Sequence, residues 1–188
     1  MRLNRWFVMT LPCRREKDQQ KEGMGSSSPA SPVSTAVIRA LTARERTAAF
    51  RLICTELLDE ADPTVPSDAV AAADFVALNQ DLDRFCAGDP AIHFVAAVAG
   101  ESLVGVAAAA VSFLARPGVW EAGWQAVREY QRRQGIGSAL LRHLEAYARA
   151  HQGSLMLLSS GNPEYHQRAG YRIVAEGDGD LVMAKRLT

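Results

Sequence analysis

One junction constrains this chain more than any other. A strand-like run, Val119 to Val127, is followed by Arg128-Glu-Tyr-Gln-Arg132-Arg133-Gln134-Gly135-Ile136-Gly137-Ser138, and a helical pattern begins at once. Ile136, Leu140, Leu141, Leu144, Tyr147 and Ala148 recur at helical spacing up to about His151, and Gly153 closes the helix. A strand, a glycine turn and an amphipathic helix in immediate succession dictate a β-turn-α unit. Glycines at such a turn let successive backbone N–H groups point into one concavity, and the helix dipole adds positive potential there. Such a turn binds a phosphate group well, although two glycines at a strand–helix junction also serve tight packing alone. It is not a P-loop, because Ser138 follows Gly137 with no lysine between them. It is not a dinucleotide fingerprint either, because Leu140 stands where a third glycine is required.

The remaining chain supplies the rest of a mixed α/β domain, residues 36–188. Residues 1–35 read as a poorly ordered tail: six basic and three acidic residues, then the Gly/Ser/Pro stretch Gly23 to Ser34, with Met24 as an alternative start. The apolar stretch Trp6 to Met9 is too short for a signal peptide. Thr42 and Glu45 form a capping-box pattern ahead of a first helix, with Phe50, Ile53, Cys54, Leu57 and Leu58 on its apolar face. Pro63 and Pro66 end that helix. Ser67 to about Cys86 gives a second, with Val70, Asp74 or Phe75, Leu78 and Leu82 in looser register. Ile92 to Ala99 and Leu103 to Phe113 flank Gly100-Glu101-Ser102 as a hairpin, and Val119 to Val127 is the third strand. After the glycine turn and its helix come a buried strand, Ser154 to Ser159, a short helix, Pro163 to Ala169, and two strands, Tyr171 to Ala175 and Leu181 to Leu187. The expected order is two helices, three antiparallel strands, a β-α-β unit and a final pair.

Charge and cysteine usage bound the function. With 21 basic and 21 acidic residues and an isoelectric point near 6.9, no surface built for nucleic acid is expected. Cys13, Cys54 and Cys86 lie far apart without metal-ligand spacing, so neither a disulfide framework nor a metal site is expected, and a reducing, cytoplasmic setting is. No apolar run reaches the length of a membrane span.

Two motifs then point to one family. Arg132-Arg133-Gln134-Gly135-Ile136-Gly137 matches the Arg/Gln-x-x-Gly-x-Gly/Ala acyl-CoA loop of the GCN5-related N-acetyltransferases, and Val127 stands at the spacing of that family's pantetheine-contacting strand end. Farther on, Tyr165-His166-Gln-Arg-Ala-Gly170-Tyr171 resembles its second signature. The resemblance covers most of residues 36–188. It implies a largely antiparallel sheet with a splayed parallel central pair flanked by helices, with acetyl-CoA as cosubstrate and no metal. It also implies transfer of the acetyl group to a primary amine of a small molecule or peptide by direct attack. Backbone amides from Arg132 to Ser138 would cradle the pyrophosphate, Arg132 and Arg133 would add charge, and the Val127 amide would polarise the thioester carbonyl. Asn162 and Ser159 are further contacts, and Arg142 faces solvent.

Amine acetylation needs a base, and a proton for the departing thiolate. Glu121 lies six residues before Val127, so strict alternation sets both on one face of the strand. It is the expected base, with a water chain to Glu56 or Glu60 as fallback. Where the family commonly places its acidic tyrosine, four residues before the motif glycine, this chain has His166, with Tyr165 one residue earlier. Either is the candidate acid, or the thiolate leaves unaided. Cys54 and Cys86 are read as packing residues, and His93, His143 and His151 as structural or exposed. Nine acidic residues from Glu56 to Asp89 against Arg84 alone form either a solvated helix face or a wall that attracts a cationic acceptor. The departure at His166 also leaves open a catalytically weak acyl-CoA-binding sensor of the same fold. No membrane partner is expected, and the chain is a monomer or homodimer.

Overall fold

Runs of Val, Ile and Ala from residue 92 to 111 are apolar on both sides of the pleat, so they need cover on both faces. The computed structural model describes residues 36–60, 62, 65–112, 116–176 and 180–188; the expected tail, Pro63 and the strand end at Phe113 lie outside these. Strands β1 (Val37–Ala40), β2 (Ile92–Ala99), β3 (Ser102–Val111), β4 (Val119–Val127), β5 (Leu155–Ser160), β6 (Arg172–Glu176) and β7 (Leu181–Arg186) form one sheet in the order β1-β2-β3-β4-β5-β7-β6. Every neighbouring pair is antiparallel except β4 and β5. Helices α1 (Arg46–Glu56) and α2 (Ala69–Cys86) cover one face, and α3 (Ile136–Ala150) covers the other. The short α4 (Pro163–Arg168) packs against the β6–β7 pair.

Each face has its own core. Leu52, Ile53, Phe75, Leu78 and Leu82 of α1 and α2 bury against Phe94, Val106 and Trp124. Ile136, Leu140, Leu144 and Ala148 of α3 bury against Val95, Ala107, Met156 and Met183. Burying each such large side chain contributes about 1.5–3 kcal/mol. Gly105 and the alanines of β3 allow the close approach: a side chain at Gly105 would meet Ile136 and Leu140 at 3.2 Å.

Three expectations change. β1 was not anticipated from sequence; it is four residues long and pairs along β2 at the sheet edge. The apolar face of α1 is Ala49, Leu52, Ile53 and Cys54, with Leu57 past the helix end and exposed. On α2, Asp68 caps the helix by accepting the amides of Val70 and Ala71 at 2.8 and 2.9 Å, which turns Val70 outward and leaves Asp74 and Asp81 buried.

The register between β3 and β4 slips. Ala108 pairs with Gly123 and Val106 with Ala126, so Trp124 and Gln125 together oppose Ala107. Trp124 takes φ +50, which a large L-residue rarely adopts, and this is the extra residue of a β-bulge. Its indole N–H donates to Asp81 Oδ2 of α2 at 2.9 Å, in a buried environment.

Candidate active site

β4 and β5 are joined by three rungs only: Val119 with Leu155, Trp120 with Met156, Glu121 with Leu157. Beyond them the strands part, and a cavity of about 870 Å³ opens between β4, β5, the glycine turn and α4. The splay expected from the motif pair is present. Arg128 donates its amide to Val104 across the ladder at 2.9 Å, so alternation turns the Val127 amide away from β3, towards the cleft. The carbonyl of Val127 points the same way and accepts Arg132 Nε at 3.0 Å.

The turn itself bends through two left-handed residues, Arg133 at φ +64 and Gly135 at φ +79. Ala139 makes the first helical hydrogen bond, to Gly135 at 2.9 Å. The amides of Ile136, Gly137 and Ser138 are thus left without helical acceptors, at the positive end of a 15-residue helix. Ile136 is buried in the α3 core, Gln134 is exposed, and Ser138 is half-buried. Val127, Arg132, Arg133, Ile136, Gly137 and Asn162 line the cavity, and so do Tyr165 and His166. Part of the candidate loop, Asn162 and both acid candidates are therefore brought together, whereas Gln134, Gly135 and Ser138 are not among the lining residues.

Glu121 is not among the cavity-lining residues, and its expected placement beside Val127 needs correction. It opposes Ala110, whose side chain belongs to the α1–α2 core, whereas Val127 opposes Gly105, which faces α3. The bulge at Trp124 inserts one residue between them, so a separation of six no longer keeps the two on one face. Glu121 is buried at the last β4–β5 rung, where burial raises its carboxyl above the ordinary value, opposed by a short hydrogen bond donated by Ser112. Arg132, at the cavity wall, also pairs its guanidinium with Glu56 Oε2 at 2.9 Å at the end of α1. The same carboxylate accepts the Glu129 amide at 3.1 Å and lies 3.8 Å from Arg128. Glu56 is a latch between α1 and the turn.

The two acid candidates differ in chemistry. Burial pushes His166 down to about 4, so its imidazole is neutral near pH 7, and its Nδ1 has no hydrogen-bond partner. Tyr165 accepts a hydrogen bond from Gln125 Nε2 at 3.2 Å, which leaves its own proton to donate. Gln125 also donates to the Gly137 carbonyl at 2.8 Å, tying β4 to the turn. Gln125, Gln131 and Arg168 line the cavity without having been singled out from sequence. Gln131 Oε1 is buried and unpaired, an acceptor facing a site full of backbone donors. Only the bulge, which sequence alternation hides, would have turned Gln125 toward the turn. Of the acidic segment, Glu60, Asp74 and Asp81 are buried rather than displayed, and burial followed by Asp68 lifts Asp74 to about 6. Cys54 is buried and its thiol is pushed up to about 12 by burial, while Cys86 is exposed. Arg142 is exposed. Among the described residues there is no group of three or more His, Cys, Asp or Glu placed to hold a metal ion, and no helix is long and apolar enough to cross a membrane.

The family model of the acetyltransferase (GNAT) family matches residues 54–175. No curated protein matches by sequence. Among solved structures, the PaiA N-acetyltransferase of Thermoplasma acidophilum in complex with coenzyme A is similar at TM-score 0.65 and 15% identity, covering 80% of this chain and 98% of that one. Ard1 of Thermoplasma volcanium aligns at TM-score 0.61 and 19% identity, over 82% and 99% of the two chains. An aminoglycoside 6'-N-acetyltransferase complexed with coenzyme A aligns at TM-score 0.63 and 17% identity, over 81% and 97%. At these identities the likeness to the solved structures is one of fold.

Proposed function

The chain belongs to the acetyltransferase (GNAT) family, and from that premise we propose that it transfers an acetyl group from acetyl-CoA to a primary amine of a small molecule or peptide by direct attack. The observation that carries the reading is the convergence on one cavity of two sets of backbone donors, the first-turn amides of α3 and the strand amide of Val127. The residues present fit the cosubstrate. The glycine turn offers amides to a pyrophosphate, Arg133 adds charge at the rim, and Gln131 Oε1 awaits a donor such as a pantetheine amide. Asn162 is a further contact at the α4 side. The Arg132–Glu56 pair holds the turn in shape.

Acetyl-CoA supplies the activated thioester. The Val127 amide donates to its carbonyl oxygen, where charge accumulates. Glu121 takes the proton of the acceptor ammonium through water at the apex of the cleft, from the α1–α2 face. Burial holds its carboxyl above the ordinary value, the direction that makes a carboxylate a stronger base. Tyr165 gives its proton to the departing sulfur, and His166, neutral and buried beside it, walls the thiolate from water. The acceptor assignment draws support from similar folds whose names specify N-acetylation and an aminoglycoside.

Free-thiol release with acetyl-CoA and an amine panel tests the reading. The parent is expected to turn over at least one amine. Glu121→Gln and Tyr165→Phe should each lose about 10²-fold or more in kcat while keeping the Tm rise caused by acetyl-CoA. Stabilisation by acetyl-CoA with no turnover across the panel would replace the enzyme with the sensor reading.

A further inference from the structure

One buried charge beside the cleft has no role in the chemistry above. Asp180 directly precedes β7 and is 9% exposed, yet its Oδ1 has no hydrogen-bond partner among the described residues. About nine in ten or more buried polar groups in folded proteins are paired, and a buried charged acceptor left alone is destabilising. A donor is therefore missing, and the surroundings say from where it comes.

The register places the group. Ser160 of β5 pairs with Leu181 of β7, and continuing that ladder by one rung sets Asp180 opposite Gly161. Gly161 lines the cavity, and a side chain on it would sit 3.3 Å from Asp180 Oδ1. The missing side chain at Gly161 leaves the carboxylate just behind the cavity wall. Met183 and Leu181 pack in the α3 core, so alternation turns Asp180, with Val182, to the opposite face of the sheet. That is the face on which Glu121 lies, through its parallel rung with Leu157, which in turn pairs with Ala184. Asp180 stands one strand beyond the open edge of β5, about 5–10 Å from the cleft at ordinary strand spacing. Burial raises its carboxyl above the ordinary value.

We propose that Asp180, reached past Gly161, is an acceptor subsite that binds a second ammonium group of a small diamine or polyamine while the first amine lies in the cleft. The inference rests on the acetyltransferase reading for the location of the reacting amine. It goes further in naming a dicationic acceptor and the residue that selects it.

Calorimetry of 1,4-diaminobutane and of butylamine, each titrated into the protein saturated with coenzyme A, tests this directly. The parent should bind the diamine about 10–100-fold more tightly, the worth of one hydrogen bond to a charged group. Asp180→Asn should collapse that ratio while the Tm rise caused by coenzyme A persists. Gly161→Ser, which offers Asp180 a hydroxyl of its own, should collapse it as well without removing the carboxylate. Equal affinities in the parent, or a ratio that survives both substitutions, would overturn the subsite. Thiol release that is absent with every amine while the affinity ratio stands would sink the acetyltransferase reading and leave the diamine site intact.

Discussion

The Trp124–Asp81 hydrogen bond holds the bulge on which the cleft depends, and its weight can be worked out. Trp124→Phe keeps an aromatic ring in the α1–α2 core but removes the indole N–H that Asp81 Oδ2 accepts at 2.9 Å. A hydrogen bond to a charged group contributes about 1.5–3 kcal/mol, and the lost ring volume adds about 1 kcal/mol. The total of about 2.5–4 kcal/mol corresponds to a Tm lower by roughly 5–15 °C for a domain of this size. Asp81→Ala removes the same bond and also the contact with Arg84 at 3.6 Å, so single variants mix effects. A double-mutant cycle over Trp124→Phe and Asp81→Ala, followed by calorimetric melts, cancels the Arg84 contribution and isolates the pair. The coupling should be about 1–2 kcal/mol, and the KM for acetyl-CoA should rise in both single variants, because Gln125 and Val127 take their direction from the bulge. Coupling below about 0.5 kcal/mol would refute the idea that this bond fixes the bulge.

Gly135→Ala meets no neighbour, but it forces alanine to φ +79. Left-handed strain of about 1–2 kcal/mol should lower the Tm and weaken the acetyl-CoA thermal shift, and an unaltered shift would count against the cradle. Burial holds His93 down to about 4, with His143 and His151 adding to the effect. The unfolded chain takes up that proton near pH 6.5, so the histidine destabilises the fold progressively as pH falls from 6.5 to 4. Asp74, raised to about 6, acts in the opposite sense, so the readout is the difference between parent and His93→Phe in urea melts. The parent should lose ground to the variant by up to roughly 3 kcal/mol over that range, and a constant difference would contradict the assignment. In the native protein Cys86 should react with iodoacetamide, while Cys54, buried with a thiol near 12, should react only after denaturation. Native labelling of Cys54 would show that α1 opens.

What the sequence made legible follows from periodicity. The hairpin of β2 and β3, the run of β4 and the stripe of α3 each repeat a pattern long enough to stand above noise, and the glycine turn has few alternative meanings. β1 escaped because four residues at a sheet edge, with Val37 and Ala40 exposed, carry no alternation to read. Glu121 was assigned to the wrong face because a bulge changes the parity of every residue after it, and Trp124 carries no local signal for φ +50. The pairing of Arg132 with Glu56 is invisible in the sequence because the two lie 76 residues apart and no pattern in one chain links them. Asp81 reads as solvated charge for the same reason, since the Trp124 indole that it pairs with lies on β4, 43 residues along the chain.

The three rungs between β4 and β5 also divide the molecule mechanically. β1 to β4 form one antiparallel ribbon in sequence order, with β1 reaching β2 across α1 and α2, and β5, β7 and β6 form another. The chain passes from one ribbon to the other once, through α3, whose stripe packs on both. The two ribbons are therefore joined in the sheet by the β4–β5 rungs and on one face by α3. A ligand lying along the parted strands would act as the stitching that the backbone omits. Amide exchange in the second half of β4 and at the end of β5 should slow together when it binds, and unlinked protection of the two strands would show that they do not share that seam.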